Sequence, residues 1–135
     1  MNLVSVTRLR LRKIRFLPGF AWFAILSSIQ SKKAEGNLET LTVKDRGLVF
    51  WTITVWRNLE TMRAFRNSGN HRTAMPKLVE WCDEATYVHW EQESDTAPDL
   101  STAYTKLVNE GVVTKVKYPS ENNSTRTFLA PSGVK

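Results

Sequence analysis

Few side chains in this 135-residue chain are suited to moving a proton or holding a metal. There are two histidines, His71 and His89, and one cysteine, Cys82. One cysteine permits neither an internal disulfide nor a cysteine-based metal cluster, and it points to a reducing compartment, the cytoplasm. No carboxylates stand at metal-ligand spacing around the histidines, so no protein-only metal site is expected. Phosphate-cradling glycine loops, a zinc-protease helix motif and a nucleophile elbow are absent from the sequence. What is left is an imidazole among apolar neighbours. His71, Met75, Leu78, Val79 and Cys82 fall on one arc of a helical wheel, with His71 near its middle. A histidine on the sheet-facing side of a helix can be a buried structural residue, a general base titrating near neutrality, or a cofactor ligand. Arg72 follows on the polar side of His71 and reads as a surface or subunit contact that could lend a pocket one guanidinium. Cys82, on the same arc, reads as inert packing.

Two strands and a broken helix must position these groups. Leu48 to Trp56 is β-branched and aromatic on both faces, Val49/Trp51/Ile53/Val55 and Leu48/Phe50/Thr52/Thr54/Trp56. Such a strand is expected mid-sheet, covered on both sides. Asn58 is a helix cap, Leu59, Met62 and Phe65 form an apolar line, and Ser68-Gly69-Asn70 breaks the helix, with Asn70 as a second cap. Ala85 to Gln92 is the next strand. Upstream, VSVTRLRLRK is the first strand. Leu9 and Leu11 take one face and Arg8, Arg10 and Arg12 the other, while Val4 and Val6 share the phase of the arginines. That implies a bulge or a change of covering partner. A helix follows over about Phe20 to Lys33, its apolar stripe made by Trp22, Ile25, Leu26 and Ile29 and widened by Phe20 and Phe23, with Gly36 as its C′ stop. Asn37 to Lys44 is the second strand, turning through Asp45-Arg46-Gly47 into the Trp51 strand. Asp99 caps a short helix striped by Leu100, Ala103, Tyr104, Leu107 and Val108. Gly111 ends it, and Val112 to Tyr118 is a fifth strand.

The order β-α-β-β-α-β describes an α+β, ferredoxin-like unit with helices on one face and an extra C-terminal helix. Residues 1–118 are expected to form a single domain, and 119–135, rich in Ser, Asn, Thr and Pro, a loosely ordered tail or an arm on a partner. A sheet with helices on one face needs cover on the other, and a second copy across a two-fold axis is the expected cover, a homodimer through the sheet faces.

The net charge of +6 is unevenly placed. Residues 1–33 hold Arg8, Arg10, Arg12, Lys13, Arg15, Lys32 and Lys33 and no acid, whereas the rest holds 12 basic and 13 acidic side chains, a net of −1. This basicity reads as a solvated strand edge with ordinary helix ends, or as a site for an anion: phosphate, an acidic membrane surface, or haem propionates. The basic residues lack the interleaved aromatics that stack bases, so no nucleic-acid partner is expected. The run FLPGFAWFAILSSI is too short to span a membrane and lacks a following cleavage site. A peripheral membrane contact through Phe20, Trp22, Phe23 and the flanking cations is a minor reading.

The segment FWTITVWRNLETMRAFRNSGNHRTAMPKLVEWCDEATYVHW carries a recognisable pattern: a strand ending in T-x-W, a helix, S-x-x-H-R-x-x-M/L, a helix, and a strand ending in W. With VTRLRLRKIRFLPGF before it and PDLSTAYTKLVNEG after it, it resembles an uncharacterised bacterial family of the dimeric α+β-barrel superfamily. That superfamily includes antibiotic-biosynthesis monooxygenases, haem-degrading monooxygenases and spheroidene monooxygenase. The resemblance implies a dimer with sheets packed face to face, and a pocket between helices and sheet for a small apolar aromatic or polyene compound. It also implies two routes to oxygenation. In one, without a cofactor, the protein deprotonates an electron-rich substrate whose carbanion meets oxygen. The other uses haem. The Trp and His on the second helix of haem-degrading members fall here at Phe65 and Met75, so the aromatic is kept and the ligand is not. His71, one turn earlier, becomes either a substitute axial ligand or the catalytic base. Trp56, at the strand end beside the helix cap, is placed nearest the ligand, with Trp51, Phe65, Met75 and Arg72 as further substrate-binding candidates. Trp81 and Trp90 read as core, and His89 as structural, facing the dimer partner or solvent. A non-catalytic binding or interaction protein on the same fold is the alternative.

Overall fold

Strand β1 (Asn2–Leu11) is the middle of a five-stranded antiparallel sheet of order β2-β3-β1-β4-β5. Its neighbours are β3 (Val49–Trp56) and β4 (Cys82–Gln92), flanked by β2 (Asn37–Lys44) and β5 (Val112–Val113). A 3-10 turn (Ile14–Phe16) leads from β1 into α1 (Leu17–Lys33), α2 (Leu59–Arg66) and α3 (Gly69–Trp81) join β3 to β4, and α4 (Leu100–Glu110) follows β4. This is the ferredoxin-like β-α-β-β-α-β arrangement with one added C-terminal helix. The structure is a computed structural model that describes residues 1–121, Asn123 and Pro131; the side chains of Asn70 and His71 and the other positions from 122 on lie outside the described residues. The expectation of a loosely ordered tail therefore falls largely outside them. Among the described residues, no helix is long and apolar enough to cross a membrane.

Local chemistry explains the element ends. Asn58 Oδ1 accepts from Thr61 N–H at 2.9 Å to start α2, and Asp99 Oδ1 accepts from Thr102 N–H at 2.8 Å to start α4. The break between α2 and α3 does not restart at Asn70. Ser68 is the residue before α3, and Gly69 opens it at φ 55. A positive φ at the break suits glycine, and Gln30 Nε2 reaches over from α1 to donate to Ser68 O at 2.9 Å. Gly36 is not the C′ residue either. Helix α1 gives way at Ala34, and Gly36, at φ 84, turns the chain into β2. The fifth strand covers two residues only. Beyond it Lys117 N–H donates to Val79 O at the end of α3 and Ser120 N–H to Asp83 O at the start of β4, both at 2.9 Å.

The sheet has helices on both faces, which corrects the expectation of one. Val4, Val6, Trp51, Ile53, Val55 and Val88 pack with Ala103 and Leu107 of α4 into one cluster, which we term the far-face core. Ala97 N–H donates to Glu39 Oε2 at 2.7 Å, holding the linker at the β2 side so that α4 runs back across the strands. Helix α4 thus covers part of the face for which a second copy was the expected cover.

Strand β1 pairs with β3 without interruption from Leu3 to Arg10. Both expected features are present: the register with β4 shifts between Arg10 and Leu11, and the covering partner changes along the strand. Val4 and Val6 lie under α4, whereas Arg8, 5% exposed, donates to Glu84 Oε1 at 2.6 Å. Arg10 Nη1 and Ser120 Oγ both donate to Glu84 Oε2 at 2.9 Å. Burial alone would raise the Glu84 carboxyl, but hydrogen bonds from Arg8, Ser120 and Arg10 outweigh it and hold the group below its ordinary value. Arg12 donates to Glu80 O at 2.8 Å and lies over the Tyr118 ring at 4.3 Å. Three of the seven N-terminal cations are thus engaged within the chain and do not assemble an anion site.

Candidate functional site

On the other face, α1, α2 and α3 meet the sheet through two separate apolar clusters. One gathers Leu11, Phe20, Cys82, Ala85 and Val116, and the other Leu3, Trp56 and Met62. Between them the sheet presents hydroxyl groups. The register aligns Thr42, Thr52, Thr7 and Tyr87 in one row across four strands, and Thr40, Thr54, Ser5 and His89 in the next. Small polar side chains cannot fill the space that Leu or Phe would fill there. A cavity of about 380 Å³ remains above them, roofed by Phe23, Ala24, Phe65, Met75 and Leu78. That volume is within the range of small-molecule sites, and an apolar roof over a few polar groups is their usual lining.

Helix α1 makes this possible by an inversion. Its inward residues are Phe20, Ala24, Ser27 and Ser31, and its expected stripe of Trp22, Ile25 and Ile29 is exposed instead. Ser31 Oγ and Thr40 Oγ1 share a hydrogen bond of 2.7 Å, and Asn37 Nδ2 donates to both. The hydroxyl floor thereby continues onto the helix.

Trp56 lines the cavity, fully buried, with its ring 5.2 Å from that of Phe65. Its indole Nε1–H is buried without a hydrogen-bond partner. A buried N–H left unmatched is costly, about 1–3 kcal/mol, and a ligand oxygen would remove that cost. Trp51 Nε1 is also unmatched, but Trp51 sits in the packed far-face core and does not line the cavity. Trp51 and Trp56 are an odd number of residues apart, so alternation sends them to opposite faces, and Trp51 drops out of the binding set.

Phe65 and Met75 both line the cavity. Arg72 is exposed and does not, whereas Arg66 of α2 does. His71 has its backbone in α3, one turn before Met75, and its side chain lies outside the described residues. His89 corrects the sequence reading. It does face away from Trp90, but towards the helices, where it lines the cavity beside Tyr87 at 5.2 Å between ring centroids. Burial, then the charges of Arg66 and Arg63, lower its pKa below the ordinary histidine value. The imidazole is therefore neutral at pH 7 and able to accept a proton. Cys82 is buried, its thiol pushed up to about 12 by burial and the Asp83 charge, which suits packing and not nucleophilic attack.

Among the described residues no group of three or more His, Cys, Asp or Glu could hold a metal ion. The lining does not fit haem well either. Haem carries two propionates that call for cations, and among the described residues the floor offers neutral hydroxyls with Arg66 as the one lining cation.

The model of the DUF3291 family, a domain of unknown function, matches residues 15–112. The chain belongs to this family. No curated protein matches it. Among solved structures it is similar to a conserved protein from Methanosarcina mazei Go1, with a TM-score of 0.62 at 14% identity over 69% of this chain and 94% of that one. A putative antibiotic biosynthesis monooxygenase from Nitrosomonas europaea gives 0.61 at 14% identity over 67% and 89%. SnoaB, a cofactor-independent oxygenase from Streptomyces nogalater, gives 0.57 at 10% identity over 69% and 94%. This member of the DUF3291 family thus has the fold of the antibiotic-biosynthesis monooxygenases, as its sequence pattern implied.

Proposed function

We propose that the cavity binds a small aromatic compound bearing hydroxyl or carbonyl oxygens, and that the protein supports its oxidation without a cofactor. The ligand-sized cavity with its hydroxyl floor carries this reading, together with the buried Trp56 beside it, whose N–H has no partner. The roof takes the apolar rings, and Trp56 and the hydroxyl rows take the oxygens. A plain polyene would leave those groups unpaired, so an oxygen-bearing aromatic is favoured. The cofactor-free route is the one named for SnoaB, whose fold is shared. Its demands are a base and a dry pocket. A base removes a proton from an activated ring CH₂, and the carbanion passes an electron to O₂. The radicals combine to a peroxide anion, which takes the proton back from the base, and the resulting hydroperoxide loses water, so that CH₂ and O₂ become C=O and H₂O. His89, neutral and on the floor, is the described candidate base, and His71 is retained as the candidate from helix α3.

The test uses naphthol and naphthalene as probes, titrated calorimetrically. Naphthol is expected to bind about fivefold more tightly, the worth of one hydrogen bond of about 1 kcal/mol. Trp56→Phe should abolish that preference. Equal affinities in wild type, or a preference untouched by Trp56→Phe, would refute the reading. Oxygen uptake with an activated hydroxyarene, compared among wild type, His89→Gln and His71→Ala, separates catalysis from plain binding.

A homodimer through the sheet faces also remains a proposal. With α4 already on that face, the interface would include α4 and not bare strands. Light-scattering chromatography that gives a monomer mass at micromolar concentration would remove it.

A further inference from the structure

Helix α1 carries apolar side chains on the side turned away from the sheet as well as on the side packed against it. Trp22, Ile25 and Ile29 stand 62%, 56% and 48% exposed in one outward stripe, directly opposite Phe20, Ala24 and Ser31. Among the described residues nothing covers this stripe. The charges around it indicate which kind of partner suits it. Lys13 and Arg15 are exposed at its start, beside Ile14 at 72% exposure, and Lys32 and Lys33 are exposed at its end. The first 33 residues contain no acid.

Pairing with a second copy is disfavoured by those ends. Parallel helices would set lysines against lysines and arginines against arginines, and antiparallel helices would set Lys33 against Arg15. Like charges face each other in either case. An anionic surface meets all four cations favourably, and an exposed Trp with apolar neighbours and flanking cations is a side-chain set suited to the headgroup level of a membrane. We propose that α1 docks the protein on anionic lipid bilayers, with Trp22, Ile25 and Ile29 entering the headgroup region. This reading replaces Phe20 and Phe23 as the contacting residues, since Phe20 is buried and Phe23 packs at 6.1 Å from Trp81. It does not depend on what the cavity binds.

The test is co-sedimentation of the full chain with phosphatidylcholine vesicles, with and without phosphatidylserine. Binding only to the anionic vesicles, weakened by salt, is expected. Ile25→Ser/Ile29→Ser should abolish it. Lys32→Gln/Lys33→Gln should weaken it about thirtyfold, from about fivefold per cation near an anionic surface. All four positions are on the outside, so each variant can be checked for a wild-type melting midpoint, and each pair reads a different half of the surface. Absence of anionic-vesicle binding at low salt would overturn the proposal. So would binding that survives the isoleucine changes. Equal binding to soluble polyglutamate would assign the surface to acidic peptides instead. A dimer in light scattering that Ile25→Ser dissociates would make it an interface between copies.

Discussion

Replacing Glu84 by glutamine tests the physical account of the first strand. Glu84 is 2% exposed and uses both oxygens, Oε1 for Arg8 and Oε2 for Arg10 and Ser120. An amide keeps one acceptor and presents N–H groups on the other side. Whichever way it is turned, the amide nitrogen meets a donor, either Arg8 or the Arg10–Ser120 pair. The Arg8 guanidinium, nearly as buried, also loses the charge of the carboxylate that it hydrogen-bonds. Removing one member of a buried pair costs about 3–5 kcal/mol, and the one acceptor retained places Glu84→Gln near the lower end, about 3 kcal/mol. In urea denaturation, with a slope of about 2 kcal/mol/M, the midpoint should fall by about 1.5 M at unchanged slope. Acid supplies a second arm. The folded carboxyl titrates below its ordinary value of 4.5, so its stabilisation is complete above 4.5 and is lost as pH falls through the folded value. The variant lacks that component, and the gap between the two proteins should narrow in acid. A loss under about 1 kcal/mol at neutral pH, or a gap independent of acid, would refute the reasoning.

Three further outcomes are expected. Gly36→Ala should lower stability by more than about 2 kcal/mol, since φ is 84 and the new Cβ would lie 2.5 Å from Thr61 Cβ; an unchanged urea midpoint would show the turn relaxes freely. The Cys82 thiol should react with a disulfide reagent only as fast as the protein opens, and rapid labelling in native buffer would contradict its burial. His89 is harder to protonate folded than unfolded, so stability is full above 6.5 and falls as acid is added below it. The wild-type melting temperature should therefore drop more steeply than that of His89→Gln as pH falls below 6.5, and parallel curves would show that His89 titrates freely.

The element order was legible because the strands are β-branched or alternating runs and α2 and α4 open on capping acceptors, Asn58 and Asp99. Both faces of β3 read as covered, and both are. What the alternation could not supply was which face meets which helices. Helix α1 was read with its apolar stripe inward, since a stripe normally faces a core. Here the inward side faces a cavity, and serines and alanine belong there. His89 was misread for the same reason: its phase was right, and the assignment of that phase to solvent was not. A signal was present, unread, in hydroxyls at alternate positions of neighbouring strands, Ser5 and Thr7, Thr40 and Thr42, Thr52 and Thr54. Helix α4 was seen, but its route across the sheet depends on a contact between Ala97 and Glu39, 58 residues apart, that no local pattern encodes.

That route bears on how the protein emerges from a ribosome. All the strand residues of the far-face core precede residue 89, whereas its helix arrives with residues 100–110. Until then the nascent chain holds a surface of valines and a tryptophan that would adhere to any similar surface nearby. Premature chains ending at the linker are therefore the species for which chaperones would be needed, and the last quarter of the sequence acts as the step that renders the product safe to release.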